Sequence, residues 1–242
     1  MKKRIGIQGF FVFLSLFLSV FLSKFFFPIW RGEVVDETLN VLGTGMVLFG
    51  FLFRVSARGY KAERSWDGEA LITDGPYTLT RHPMYFGTLL IGLGIIMILL
   101  NGWTLPPFLI VFVLIYLPQI RREERLLTKN FGDTYEAYCK KTPSYFPHLY
   151  SLLTLGLKES LPLKARWFKK ELVSLMGVFI TTVAGEVWED ARLFGRAECL
   201  KELRELLSIW IAYFVILLFL YRVEKQGRPI EEGRPIARQK GG

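Results

Sequence analysis

The chain has 242 residues, of which 51% are hydrophobic, and its formal net charge is +9. Mean hydropathy is positive, and the long uncharged runs point to an integral membrane protein and away from a soluble domain. The basic excess falls in loops on one side of the predicted membrane, which argues against nucleic-acid binding, and two histidines with the distant Cys139 and Cys199 give no zinc-type ligand cluster.

Residues 1–4 are basic, and residues 5–29 are apolar apart from Gln8, Lys24 and a few serines, long enough to span a bilayer. The run is too long for a signal peptide, and no small-x-small cleavage site follows it. A second span is predicted over residues 39–57. Gly43, Gly45 and Gly50 in it suit close helix packing and fit no nucleotide loop. After a polar loop over residues 58–80, a third span covers 84–100 and a fourth 103–120, joined by the Asn101-Gly102 turn into a hairpin. Pro118 is expected to kink the end of the fourth span. Asp133 and Glu136 have capping-box spacing for a short helix that shows Tyr135 and Tyr138 on one face and ends at Pro143 and Pro147.

Residues 150–170 read as a basic amphipathic surface segment. A weaker fifth span follows over 167–188, then a charged helix over 186–205 and a sixth span over 206–221. The tail from Arg222 is rich in Gly and Pro and is expected to be disordered. With the N-terminus inside, most Lys and Arg lie on the inner side, as the positive-inside rule requires. The predicted fold class is therefore all-α: a polytopic transmembrane helical bundle of about six spans with both termini cytoplasmic. Residues 1–148 would form a core of four spans with an inner-face site. Residues 149–242 would form an extension with the amphipathic segment, two further spans and the basic tail.

The chemistry gathers at Asp74-Gly75-Pro76-Tyr77-Thr78-Leu79-Thr80-Arg81-His82-Pro83-Met84-Tyr85, where a polar loop meets the third span. Pro83 suits the first helical position, so Arg81 and His82 lie at a helix mouth, where backbone donors and the helix dipole favour an anion such as a carboxylate. The hairpin returns Glu123 and Glu124 to the same membrane face, so a joint site is expected. Neighbouring residues on a helix point in different directions, so at most one of the two glutamates is expected to enter it. Taken singly, Arg81 and His82 also read as interfacial residues that snorkel to headgroups, and Arg121 to Arg125 as a charged helix end. The whole set is more specific.

Gly75-Pro76-Tyr77, Arg81-His82-Pro83 and Tyr85, then a hairpin, then Glu123-Glu124, Leu127, Phe131-Gly132, Tyr135, Tyr138 and Pro147 together resemble the isoprenylcysteine carboxyl methyltransferase family and its relatives, the membrane phospholipid methyltransferases. The resemblance covers residues 71–147 and, more loosely, the first two spans. It implies an S-adenosylmethionine-dependent methyltransferase, multi-pass in the membrane, with its active site facing the cytoplasm. The acceptor would be lipophilic and drawn from the bilayer, either an isoprenylcysteine-like carboxylate or a lipid amine. Tyr77, Arg81, His82, Pro83, Tyr85, Glu123 and Glu124 would contact the cofactor. Glu123, with Arg122, would be catalytic, since an ammonium acceptor must first lose a proton to a base such as Glu123 or His82. The family's prenylcysteine enzymes hold the substrate carboxylate with an arginine upstream of the glutamate. Here Pro118 and Gln119 occupy that region, so Arg121 or Arg122 would bind substrate. No metal or nucleic acid is implied, and the oligomeric state is left open. Two other readings are a nicotinamide-dependent sterol-type reductase, for which no dinucleotide fingerprint is present, and a non-catalytic membrane protein.

Overall fold

In a computed structural model of the protein the described residues are 33–65, 70–147, 160–193 and positions 204, 207, 208, 211, 212, 215, 236 and 237. The predicted first span, residues 150–159 of the amphipathic segment, Cys199, and most of the sixth span and tail lie outside them. The described chain forms α1 (Glu33–Arg64), β1 (Ala70–Leu71), α2 (Pro83–Leu99), α3 (Leu105–Lys141), α4 (Ala165–Leu193) and β2 (Ile236–Ala237), with 3-10 turns at Gly75–Thr78 and Gly102–Thr104.

α1 and α2 run antiparallel in close contact through their glycines. A Cβ at Gly50 would lie 2.5 Å from the Gly87 carbonyl oxygen, and one at Gly94 would lie 2.5 Å from the Gly43 carbonyl oxygen. Hydrogen in place of a side chain lets the two backbones meet, as predicted from composition. Val47, Leu48, Phe51, Ile91, Ile98 and Leu99 fill the seam, and Leu175, Val178, Phe179 and Val183 of α4 cover it.

Three local expectations are corrected. α1 does not end near residue 57 but runs to Arg64, because its last two turns carry packing residues (Tyr60 is buried) and end on Lys61 and Arg64, which complement the helix dipole. α3 does not end near residue 120 but continues through Pro118 to Lys141, and its non-helical residue is Gly132, with φ 48° and ψ −128°, a positive φ that glycine tolerates. The tail is not wholly without structure. Ile236 and Ala237 pair antiparallel with Leu71 and Ala70, satisfying backbone groups of the loop before the site.

Among the described residues, two helices are long and apolar enough to cross a membrane, Val34–Arg64 and Gly102–Lys141. α2 has 17 residues, about 26 Å of helix at 1.5 Å per residue, near the shortest length that spans. The apolar N-terminal part of α3 presents Leu109, Ile110, Val111, Val113, Leu114 and Ile115 outward, a face that suits lipid better than water.

Candidate active site

The loop ahead of α2 is held from three sides. Gly75 takes a positive φ of 58°, and the Asp74 carboxylate beside it accepts from Tyr60 OH at 2.7 Å and from Arg64. Tyr138 OH donates to the Tyr77 carbonyl at 2.6 Å. The chain beyond α3 contributes backbone oxygens: Arg81 N–H donates to Pro143 O at 2.9 Å, and Thr80 Oγ1 donates to Ser144 O at 3.0 Å. The result is a rigid approach to His82, which caps α2, and Pro83, its first residue.

Four polar side chains converge on Glu124 and Glu123. Arg81 Nη1 lies 2.8 Å from Glu124 Oε1, Ser144 Oγ donates to the same oxygen at 2.9 Å, and His82 Nε2 is 3.3 Å from it. Tyr85 OH donates to Glu123 Oε1 at 2.7 Å, and Glu123 Oε2 is 3.8 Å from His82 Nδ1. Both glutamates therefore enter the cluster, against the expectation of one. Their directions do differ, by about 100° of helix rotation, but the His82 ring stands between them with a nitrogen toward each. The two are not equivalent. Glu124 has several donors on one oxygen and is 24% exposed, while Glu123 has a single short bond and is 43% exposed.

The electrostatics follow from burial. Burial pushes the His82 imidazole below its ordinary value, outweighing the pull of Glu124 and Glu123. The ring is thus neutral near pH 7, and the Glu124 contact selects the Nε2–H tautomer. Burial pushes the Tyr77 phenol up, and the Glu123 charge adds to this. The Tyr135 hydroxyl is buried against Arg81 and Cys139, which hydrogen-bond with it, and Arg81 Nε is buried with no hydrogen-bond partner. A buried polar atom left unpaired is costly, so Arg81 Nε marks a place where a ligand atom is welcome.

A file of rings connects this cluster to the apolar span. Centroid separations are 6.0 Å for Phe108–Phe112, 4.4 Å for Phe112–Tyr116, 5.3 Å for Tyr116–Tyr85 and 5.8 Å for Tyr85–His82.

The structure thus brings Arg81, His82, Tyr85, Glu123 and Glu124 together, with Pro83 and Tyr77 beside them. Arg121 and Arg122 are exposed and take no part in the cluster's described bonds. Cys139, which had no assigned role, accepts from Arg81 Nη1 at 2.9 Å. Its position four residues after Tyr135, on the same helix face, could have flagged it. Ser144 had no such signal. Among the described residues, no three His, Cys, Asp or Glu side chains form a group that could hold a metal ion.

Residues 38–134 match the family model described as phospholipid methyltransferase. The protein-S-isoprenylcysteine O-methyltransferase of Schizosaccharomyces pombe is 42% identical over 77 residues, 32% of this chain and 33% of that protein. Over those segments the chain is similar to this family of methyltransferases. It is also similar to the nickel-cobalt-cadmium resistance protein NccN of Alcaligenes xylosoxydans xylosoxydans, 34% identical over 61% of this chain and 66% of that one. The cobalt-zinc-cadmium resistance protein CzcN of Cupriavidus metallidurans is 33% identical over 50% of this chain and 54% of its own length. The match thus spans between a third and two thirds of these relatives. No solved structure matches the chain. The phospholipid methyltransferase match contains Arg81, His82, Tyr85, Glu123 and Glu124, but it stops before Tyr135, Tyr138, Cys139, Ser144 and all of α4.

Proposed function

We propose that the chain is an S-adenosylmethionine-dependent methyltransferase acting on a lipophilic acceptor, with its site at the cytoplasmic face of a membrane. The observation that carries this is the Arg81–His82–Tyr85 cluster on Glu123 and Glu124, at the junction of a helix start and an apolar hairpin. When bound, the cofactor supplies an electrophilic methyl group on a sulfonium. The residues present fit its charges. Arg81, whose Nε lacks a partner, and the start of α2 suit its carboxylate. Glu123, with unused lone pairs, suits its ammonium, and the faces of Tyr77 and Tyr85 suit the sulfonium. Glu124 then holds Arg81 in place, and Pro83 fixes the start of the helix.

The file of rings from Phe108 to Tyr85 gives an acceptor's apolar chain a route from the bilayer to the cluster. Arg121 and Arg122, exposed at the membrane edge, would meet an acceptor carboxylate, which needs no base because it is already ionised. An amine acceptor would have to lose a proton, and neutral His82 or Glu123 would take it. Catalysis then rests on alignment and exclusion of water. The excess of basic residues on the predicted inner side supports the cytoplasmic placement. The family match falls within residues 1–148, which supports that segment as the catalytic core.

The test is incubation of membranes containing the chain with methyl-labelled S-adenosylmethionine, followed by lipid extraction. A labelled lipid that depends on His82 and Glu123 supports the reading. Base lability of the label would mark a methyl ester, and stability would mark a methylated amine. An absence of labelled lipid with well-folded protein would sink it.

A further inference from the structure

α4 and the segment leading into it lie outside the family match, yet they touch both flanks of the candidate site. Glu171 is 1% exposed. It accepts from Arg54 Nε at 3.2 Å and Nη2 at 3.1 Å, and from Arg58 Nη1 at 2.6 Å. Arg54 continues inward, with Nη1 donating to Thr88 Oγ1 at 2.7 Å. Thr88 Oγ1 in turn donates to the Met84 carbonyl at 3.0 Å, in the first turn of α2 between His82 and the rest of the helix. This is one arm.

The other arm is mostly apolar. Ser56 Oγ donates to Pro162 O at 2.8 Å, which seats Leu161 in a cluster with Phe53 and Leu79. Leu79 stands two residues before Arg81. Leu163, Phe168 and Tyr77 pack on the neighbouring cluster of Val55, Tyr60, Ile72 and Trp167. The base of this arm is pinned by Glu63, which accepts from Lys164 at 2.7 Å, from Arg166 and from Trp167. The two ion-pair groups are reciprocal: a carboxylate of α4 sits between arginines of α1, and a carboxylate of α1 sits between Lys164, just ahead of α4, and Arg166 in its first turn.

We propose that residues 160–171 are a positioning clamp for the site, in which Leu161 holds the loop before Arg81 while Glu171, through Arg54 and Thr88, holds the first turn of α2 after His82. The proposal rests on the proposed function for its consequence, but not for its geometry. Close-packed elements transmit displacement, and a shift of about 1 Å at a reacting centre can cost about a hundredfold in rate. Glu171 and Thr88 are thus positioning residues that touch neither cofactor nor acceptor.

The experiment uses the full chain in detergent, comparing the parent with Glu171→Gln and Thr88→Val. Hydrogen exchange reads the Tyr85 and Phe86 amides, both bonded to His82 O at 3.1 Å, and calorimetry reads S-adenosylmethionine binding. The clamp predicts that exchange at those amides rises about tenfold in both variants, as local opening becomes easier, while exchange along α3 is unchanged. It also predicts that Thr88→Val keeps the parent's unfolding midpoint and yet binds the cofactor several-fold more weakly. Faster exchange confined to α4, with the α2 amides unchanged, would overturn it. Should Glu171→Gln fail to fold, Thr88→Val alone decides between these outcomes, since it removes one hydroxyl and no charge. A parent that binds no S-adenosylmethionine, with the exchange pattern as predicted, would defeat the functional reading and leave the clamp standing.

Discussion

Glu171 and Glu123 are both carboxylates beside apolar helices, and the difference between them separates holding from binding. Glu171 is 1% exposed, with both oxygens taken by Arg54 and Arg58. Glu123 is 43% exposed and has one short bond, from Tyr85. A saturated, buried carboxylate has nothing left to offer a ligand, and its loss strands its partners. A half-exposed carboxylate with unused lone pairs costs little to keep and can recognise a cation. Glu124 lies between the two, partly exposed but committed to Arg81, Ser144 and His82.

The largest effect expected is at Glu171. Removing one partner of a buried ion group costs about 3–5 kcal/mol, and because Arg58 is partly in solvent the lower end applies to Glu171→Ala. Denaturant unfolding in detergent measures it. A loss below about 1 kcal/mol would show that the arginines find other partners and would erase the contrast with Glu123.

Next comes Glu123→Gln. We expect stability within about 0.5 kcal/mol of the parent, as at other partly exposed positions, but a loss of cofactor affinity of about 10- to 100-fold, the scale of one charged hydrogen bond. Glu124→Gln should lower both, because it loosens Arg81 as well. If Glu123→Gln destabilised the fold while binding stayed normal, the assignments of the two glutamates would have to be exchanged.

How much of this was legible in the sequence differs between the same two regions. The site was legible because its parts announce themselves locally. Pro83 fixes a helix start, so His82 had to cap it, and a hairpin with a short turn had to bring Glu123 and Glu124 back to the same end. That both glutamates engage was not legible, since helix periodicity cannot foresee an imidazole seated between them. The clamp was not legible at all. Glu171 sits 117 residues from Arg54, and pairing over such a separation leaves no periodic trace. Gly59 shows the same limit. A Cβ there would lie 2.1 Å from the Trp167 ring, so the glycine answers to a partner far along the chain, whereas Gly50, read from the sequence as a packing glycine, meets the neighbouring helix at Gly87.

A smaller effect concerns pH. His82 is held below its ordinary value of 6.5 by burial. As pH falls through that ordinary value, the unfolded chain takes up a proton that the folded chain refuses. Stability therefore declines with falling pH from there down to the folded value, then levels. His82→Gln should flatten this window. Unfolding midpoints measured from about pH 7.5 to pH 4 test this, and an unchanged window in His82→Gln would mean that the imidazole is not the group responsible.

The smallest effect expected is on the exposed arginines of α3. Arg125 is exposed, one residue past Glu124 and about 100° around the helix from it, so it turns away from Arg81 and Ser144. An exposed charge in water gains little from distant partners and is screened by salt. Arg125→Gln should therefore leave stability within about 0.5 kcal/mol and leave cofactor affinity and turnover unchanged. Arg122 is equally exposed, so its substitution by glutamine should be as silent for stability and cofactor binding. The two arginines part only if the acceptor is a carboxylate. Then Arg122→Gln alone raises the acceptor KM with kcat nearly kept, since it removes binding shared by ground and transition states. A parallel rise in Arg125→Gln would show a diffuse surface-charge effect on the membrane interface instead of a seat for the acceptor, and measuring both variants at two salt concentrations separates the two.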